Sequence, residues 1–285
     1  MPSFDISRSR FRLADEHLIV LSELAAGSAV PEEFTTARQE LLDCGLIDEA
    51  DKLSPLLLPL MKTVLSPGVV ISLESAGRQG RLHHGMLIGE EHVVAHEVWP
   101  GEGEAEYSCV EPKMLVWKLA DMVNLQRSST DHDTAASVVE TTIGTAEAGL
   151  AILEGASLGR TAEEELVAIR TALAAGGGLP GPALTLLADL ISELRSSWRL
   201  TAAWRNQVDG RDVAEARGFA VWDCGRLGYW LRELPTEPVP EDRVTPDAPF
   251  RIVRAEAGTI WKRITGLLPD AAELRRAAGR PSADG

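Results

Sequence analysis

Cysteine is scarce in this 285-residue chain: Cys44, Cys109 and Cys224 lie far apart with no paired spacing. That pattern excludes a disulfide framework and fits reduced thiols inside a cell. Cationic side chains are also short, with 28 Lys and Arg against 43 Asp and Glu and a net charge of −15. Such a field repels phosphate backbones and anionic lipid, and no basic patch offsets it, so neither nucleic acid nor a membrane surface is an expected partner. Arg275 and Arg276 stand in a small-residue tail that is expected to fray. No run of roughly 18 uncharged apolar residues occurs, and Met1 to Arg12 lacks the apolar core of a signal peptide. A soluble, cytoplasmic protein without membrane insertion is the expectation.

The usual machinery of catalysis is missing too. There is no G-x-S-x-G elbow, and Cys109 reads as a packed strand residue. The glycine run Gly176–Gly181 lacks the Lys-Ser/Thr end of a phosphate-binding loop and follows a helix instead of a strand. Glu163, Glu164 and Glu165 suit the first turn of a helix, where the dipole favours acids. The sequence therefore implies no catalytic residue, no metal and no cofactor, and the chain is expected not to be an enzyme.

What the chain does have is apolar material, 45% hydrophobic and 25% charged residues, enough for one large domain or two packed halves. Strand-like alternation marks Val69–Glu74, Leu82–Ile88, Val93–Trp99 and Tyr107–Val110, followed by a helical run from Lys113. Much of that order returns in Trp198–Arg205, Gly218–Trp222, Gly228–Glu233 and Phe250–Val253, followed by a helical run from Ala257. Both copies close with a Trp-Lys pair, Trp117-Lys118 and Trp261-Lys262, and they align with one gap between strand and helix. The expected fold is α+β, a central, mostly antiparallel twisted sheet made of two quasi-symmetric β units flanked by helical bundles.

Around these units the chain divides at composition breaks. Residues 1–127 form an N-terminal half, 128–180 a helical insertion, 181–270 a C-terminal half and 271–285 a flexible tail, all within one compact domain. In the N-terminal half a polar lead precedes a helix capped by Asp15. A second helix begins at Pro31, and a third at Pro55, which Pro59 should bend or shorten. In the insertion a helix is expected from about Thr134 to Glu154, capped by Asp131 or Asp133. Thr161 and Glu164 form a capping box for the next. The segment Pro235–Pro249, rich in proline and acid, reads as an irregular surface excursion.

Two residue groups invite a functional reading. His83, His84, His92 and His96 crowd one predicted hairpin. With a turn at Glu90-Glu91, Gly85 pairs with His96, so His83 and His96 share a face while His84 points away. Only two ligands converge where tetrahedral zinc takes three or four, so a hydrogen-bonded surface pair is the expectation. Among the seven tryptophans, Trp99 beside the acidic loop and Trp204 at a strand end are expected to be partly exposed and the others to be core.

The passage Ala37–Leu60 (ARQELLDCGLIDEADKLSPLLLPL), with the strands GVVISLES, GRLHHGMLIGEEHVVAHEV and EYSCVEPKML, resembles the N-terminal half of EspG-like proteins. These are cytosolic chaperones of type VII (ESX) secretion in actinobacteria. The passages GFAVWDCGRLGYWLRE and FRIVRAEAGTIWKRITGLL resemble that family's second half, and the likeness runs from about Asp15 to Leu268. The resemblance implies binding of a helical secreted partner, PE–PPE-like or WXG100-like; the chain itself is expected to be a monomer or homodimer. It carries no contact motif. The partner-binding candidates are therefore Trp99, Glu102, Glu104 and Tyr107 around the acidic loop, with Leu179 and Trp204. The alternative is a ligand-binding or regulatory α+β domain, with the histidine hairpin as a metal site.

Overall fold

The computed structural model describes residues 1–77, 80–101, 103–126, 137–154, 161–208, 211–235, 243–270 and 273. The first half holds strands β1 (Ser3–Asp5) and β2 (Arg10–Leu13), helices α1 (Asp15–Ala25), α2 (Thr35–Asp43) and α3 (Leu58–Leu65), strands β3 (Val69–Gly77), β4 (Gly80–Ile88), β5 (Val93–Val98) and β6 (Ala105–Val110), and helix α4 (Leu115–Met122). The second half holds β7 (Val138–Thr142), α5 (Ile143–Glu154), α6 (Ala162–Ala175), α7 (Gly181–Ser192), β8 (Ser196–Val208), β9 (Arg211–Asp223), β10 (Tyr229–Arg232), β11 (Pro249–Ala255) and α8 (Ala257–Leu267). From β2 onward the order is one strand, three helices, four strands and a helix. From β7 onward the same order recurs.

All the strands join one antiparallel sheet in the order β1-β2-β6-β5-β4-β3-β8-β9-β10-β11-β7. The halves meet where β3 pairs with β8 from Val69↔Trp204 to Gly77↔Ser196, and Leu73 faces Leu200 at the middle. That pair lies on a local two-fold axis. Reading outward from it, Ser72–Gly85–His96–Tyr107–Phe11 in the first half corresponds to Arg199–Ala220–Arg232–Ile252–Val139 in the second.

Alternation along the strands divides the apolar residues between the two faces. One face carries Ile71, Leu73, Val93, Leu200 and Val221, covered by α4 and α8 lying side by side. The other face carries Val94 and Tyr107 under α1–α3, and Trp222, Phe250 and Ile252 under α5–α7. Two helical bundles thus sit on the same side of the sheet, one near each end, and the helix pair covers the middle of the opposite side.

Several local expectations change. The polar lead contains β1 and β2, and β2 pairs with β6; Phe11 and Leu13 alternate with Arg10 and Arg12, a stretch too short and too charged to stand out as a strand. The helix expected from Thr134 is, over Val138–Thr142, strand β7 on the edge beside β11, as its β-branched residues favour. The chain from β7 to α7 is thus the second-half counterpart of β2 to α3. Pro31 and Pro55 lead into short 3-10 turns, so Pro59 falls in the first turn of α3, where a missing N–H does no harm. Asp15 is the first residue of α1, and Ala14 occupies the cap position. The capping box of α6 is present, with the Thr161 amide donating to Glu164 Oε2 at 2.8 Å.

Candidate partner-binding platform

Between the bundles the sheet face is left open. Its floor runs over β4, β3, β8 and β9: Val70, Ser72 and Glu74 from β3, Gly85 and Leu87 from β4, Arg199, Thr201 and Ala203 from β8, and Ala216, Gly218 and Ala220 from β9. Most of these side chains are small, and the surface is wet: Val70 is 39% exposed, and Glu74, Arg199, Ala216 and Gly218 are exposed. The glycines flatten the floor because the backbones there are close. A Cβ on Gly85 would stand 2.6 Å from the Ile71 carbonyl oxygen, and one on Gly218 would stand 3.1 Å from the Leu200 carbonyl oxygen. The result is a broad trough walled by α1–α3 at one end and α5–α7 at the other.

Charge is unevenly spread along it. In the second half Arg199 and Arg232 pair with Ala220 from either side, and the Arg232 guanidinium lies 5.1 Å from the Phe250 ring centroid. Burial, the largest influence, holds the Arg232 pKa below its ordinary value; the nearby Glu147 charge works against that lowering and the Arg199 charge adds to it. The first-half counterparts are Ser72 and the imidazole of His96, which rests on Tyr107 at a centroid distance of 5.0 Å.

The histidine hairpin has the expected register, Gly85 facing His96. His84 Nδ1 accepts the Val98 N–H at 3.1 Å, which fixes its ring to its own hairpin. Burial lowers the pKa of both His84 and His96. Among the described residues no three His, Cys, Asp or Glu side chains are grouped to hold a metal ion.

The residues singled out from the sequence do not converge. Trp99, 48% exposed, follows β5. Glu104 accepts from the Met1 amine at 2.6 Å and lines a cleft of about 540 Å³ with Arg12, Glu16, His17 and Glu40. Within it the buried His17 is committed to structure, Nδ1 accepting the Ala14 N–H at 2.9 Å and Nε2 facing Glu40 Oε2 at 2.8 Å. Glu102 lies outside the described residues. Tyr107 is only 4% exposed, packed with the α1–α3 core, and burial raises its phenol pKa. Leu179 is half-buried against the core of α5–α7. Trp204, expected at the surface, is 4% exposed on the α4/α8 face and covered by Arg217, whose guanidinium stands 5.1 Å from its ring centroid.

Trp117 departs from expectation in the other direction, being 60% exposed on α4 and in edge contact with Trp261 at 4.6 Å between centroids. The two tryptophans are not counterparts. Leu115 and Leu119 on α4 fill the places of Ile260 and Ile264 on α8, so Trp117 corresponds to Lys262 and Trp261 to Val116, with no gap. The open trough was missed because exposure on a sheet depends on where distant helices dock. The alternation of small residues in Thr201–Ala203 and Ala216–Ala220 was its one visible trace.

No family model matches the chain, and no curated protein matches it in sequence. In three dimensions the chain is similar to the Mycobacterium tuberculosis type VII secretion system chaperone EspG5, solved in complex with a PE25–PPE41 dimer. The TM-score is 0.55 over 97% of this chain and 98% of that one, at 12% identity. The fold is therefore EspG-like. Among the described residues no helix is long and apolar enough to cross a membrane.

Proposed function

We propose that this chain is a non-enzymatic cytoplasmic chaperone or adaptor of the type VII secretion kind. In this reading it holds a helical secreted protein, PE–PPE-like or WXG100-like, against the open trough and keeps its apolar surface from aggregating before export. The observation that carries the reading is the likeness over nearly the whole of both chains to a chaperone solved with such a partner. The trough supports it: a wide, shallow floor of small side chains suits the side of a helix or a helical hairpin, whereas small molecules are usually bound in pockets that enclose them.

The test is co-expression with candidate helical-hairpin clients followed by size exclusion. A complex that keeps the client soluble is expected, and Ala216→Trp, which raises a large ring from an exposed floor position, is expected to abolish it without lowering the melting temperature. A client equally soluble without this protein, or a complex indifferent to Ala216→Trp, would count against the reading.

A further inference from the structure

The two ends of the trough differ in the side chains that flank Gly85 and Ala220, and that difference bears on what the trough recognises. Arg199 and Arg232 rise from strands on either side of β9, with Ala220 between them, so their stems stand roughly 10 Å apart across a residue too short to obstruct a ligand. Neither guanidinium makes an ion pair or a hydrogen bond with a described residue. Glu74 faces Arg199 across β3 and β8 but is beyond ion-pair distance, and Glu147 acts on Arg232 only through space. Arg232 is held half-buried over the Phe250 ring, a position that desolvates a guanidinium whose donors meet no acceptor among the described residues. A guanidinium in that state gains by meeting a carboxylate, which it binds through two parallel N–H···O bonds. The two-fold counterparts, Ser72 and His96, offer no such pair.

From this arrangement we infer that Arg199 and Arg232 form a carboxylate-reading subsite, taking an Asp or Glu side chain from the helical partner and thereby setting which way the partner lies in the trough. The inference rests on the proposed docking of a client there. A protein carboxylate is favoured over a nucleic-acid phosphate because the chain as a whole carries a charge of −15, which repels a polyanion but leaves room for one acid brought in on an apolar helix.

Titration calorimetry on the full chain tests it with a 16-residue blocked amphipathic peptide bearing leucines on one face and glutamates on the other. The controls are the same peptide with glutamine for glutamate, inorganic phosphate, and an oligothymidine. The Glu peptide is expected to bind with an affinity that falls as salt rises. The Gln peptide, and the Glu peptide on Arg199→Gln or Arg232→Gln, are each expected to bind about tenfold more weakly or worse. Arg232→Lys, which keeps the charge and the stem but loses the fork, is expected to recover only part of the loss.

Equal binding of Glu and Gln peptides would overturn the subsite and leave the platform standing, whereas failure of every peptide together with failure of client co-expression would remove both. Oligothymidine or phosphate binding more tightly than the Glu peptide would show a general anion site and also overturn the inference. So would loss of the melting transition in Arg199→Gln, an exposed position where no folding role is expected.

Discussion

Replacing Leu73 with Ala tests the architecture at its centre. Leu73 and Leu200 are fully buried, face each other across the β3–β8 junction and belong to a core shared by α4 and α8. Truncation removes three carbons, a transfer loss of about 2.4 kcal/mol at roughly 0.8 kcal/mol each. A residual void of about 50 Å³ adds about 1.2 kcal/mol, since backbones paired on both sides cannot close in on it. Leu73→Ala and Leu200→Ala should therefore each destabilise by about 3.5 kcal/mol, a large share of the roughly 5–15 kcal/mol that typically separates folded from unfolded chains. As direct neighbours, the two substitutions should be non-additive by about 1 kcal/mol. Urea unfolding followed by tryptophan fluorescence reads all three variants, and one transition is expected because the central core takes residues from both halves. A loss below about 1 kcal/mol, or two resolved transitions whose midpoints move independently, would refute the reasoning.

Other outcomes follow from single residues. Gly85→Val would force a Cβ to within 2.6 Å of the Ile71 carbonyl, so the variant should be recovered mostly insoluble, whereas Gly103→Ala, with nothing within 4 Å, should melt like wild type. Thr161→Ala removes the hydroxyl that accepts the Glu164 N–H at the start of α6, half of the capping box, and should lower stability by about 1 kcal/mol in urea titration. Burial holds the folded-state pKa of His84 and His96 below the ordinary 6.5, so the unfolded chain binds more protons in that window. Stability should then fall as pH drops below about 6.5 until the folded-state values are passed. The decline in melting temperature between about pH 7 and 5.5 should be smaller in His96→Phe than in wild type; an unchanged slope would remove His96 from the account.

How much of this was visible in the sequence varies by element. β3 to β6 and β8 to β11 stood out because each alternates against a fixed core face, and the histidine hairpin's register followed from its turn. β2 and β7 did not. Both are short strands of four and five residues near the ends of the sheet, β2 inside β1 and β7 at the edge, and their apolar positions, Phe11 and Leu13 or Val139, gain meaning only beside β6 and β11. The repeat was correctly suspected on a misleading sign: the Trp-Lys pairs are out of step, and Trp117 meets Trp261 because α4 and α8 touch. Trp204 and Trp117 exchanged their expected environments for a related reason. Alternation tells which residues share a face, but not which face the helices will cover, and Trp204 lies under α4 and α8 whereas Trp117 lies on their outer surface.

A leucine pair on a local axis carries a historical implication. Two copies of an ancestral chain half as long would close the same sheet as a homodimer, with a single kind of leucine meeting itself at the centre. Joining two such copies into one polypeptide would release the lobes from having to be alike. A face that two identical lobes would present twice could then differ between its halves, as Arg199 and Arg232 differ from Ser72 and His96.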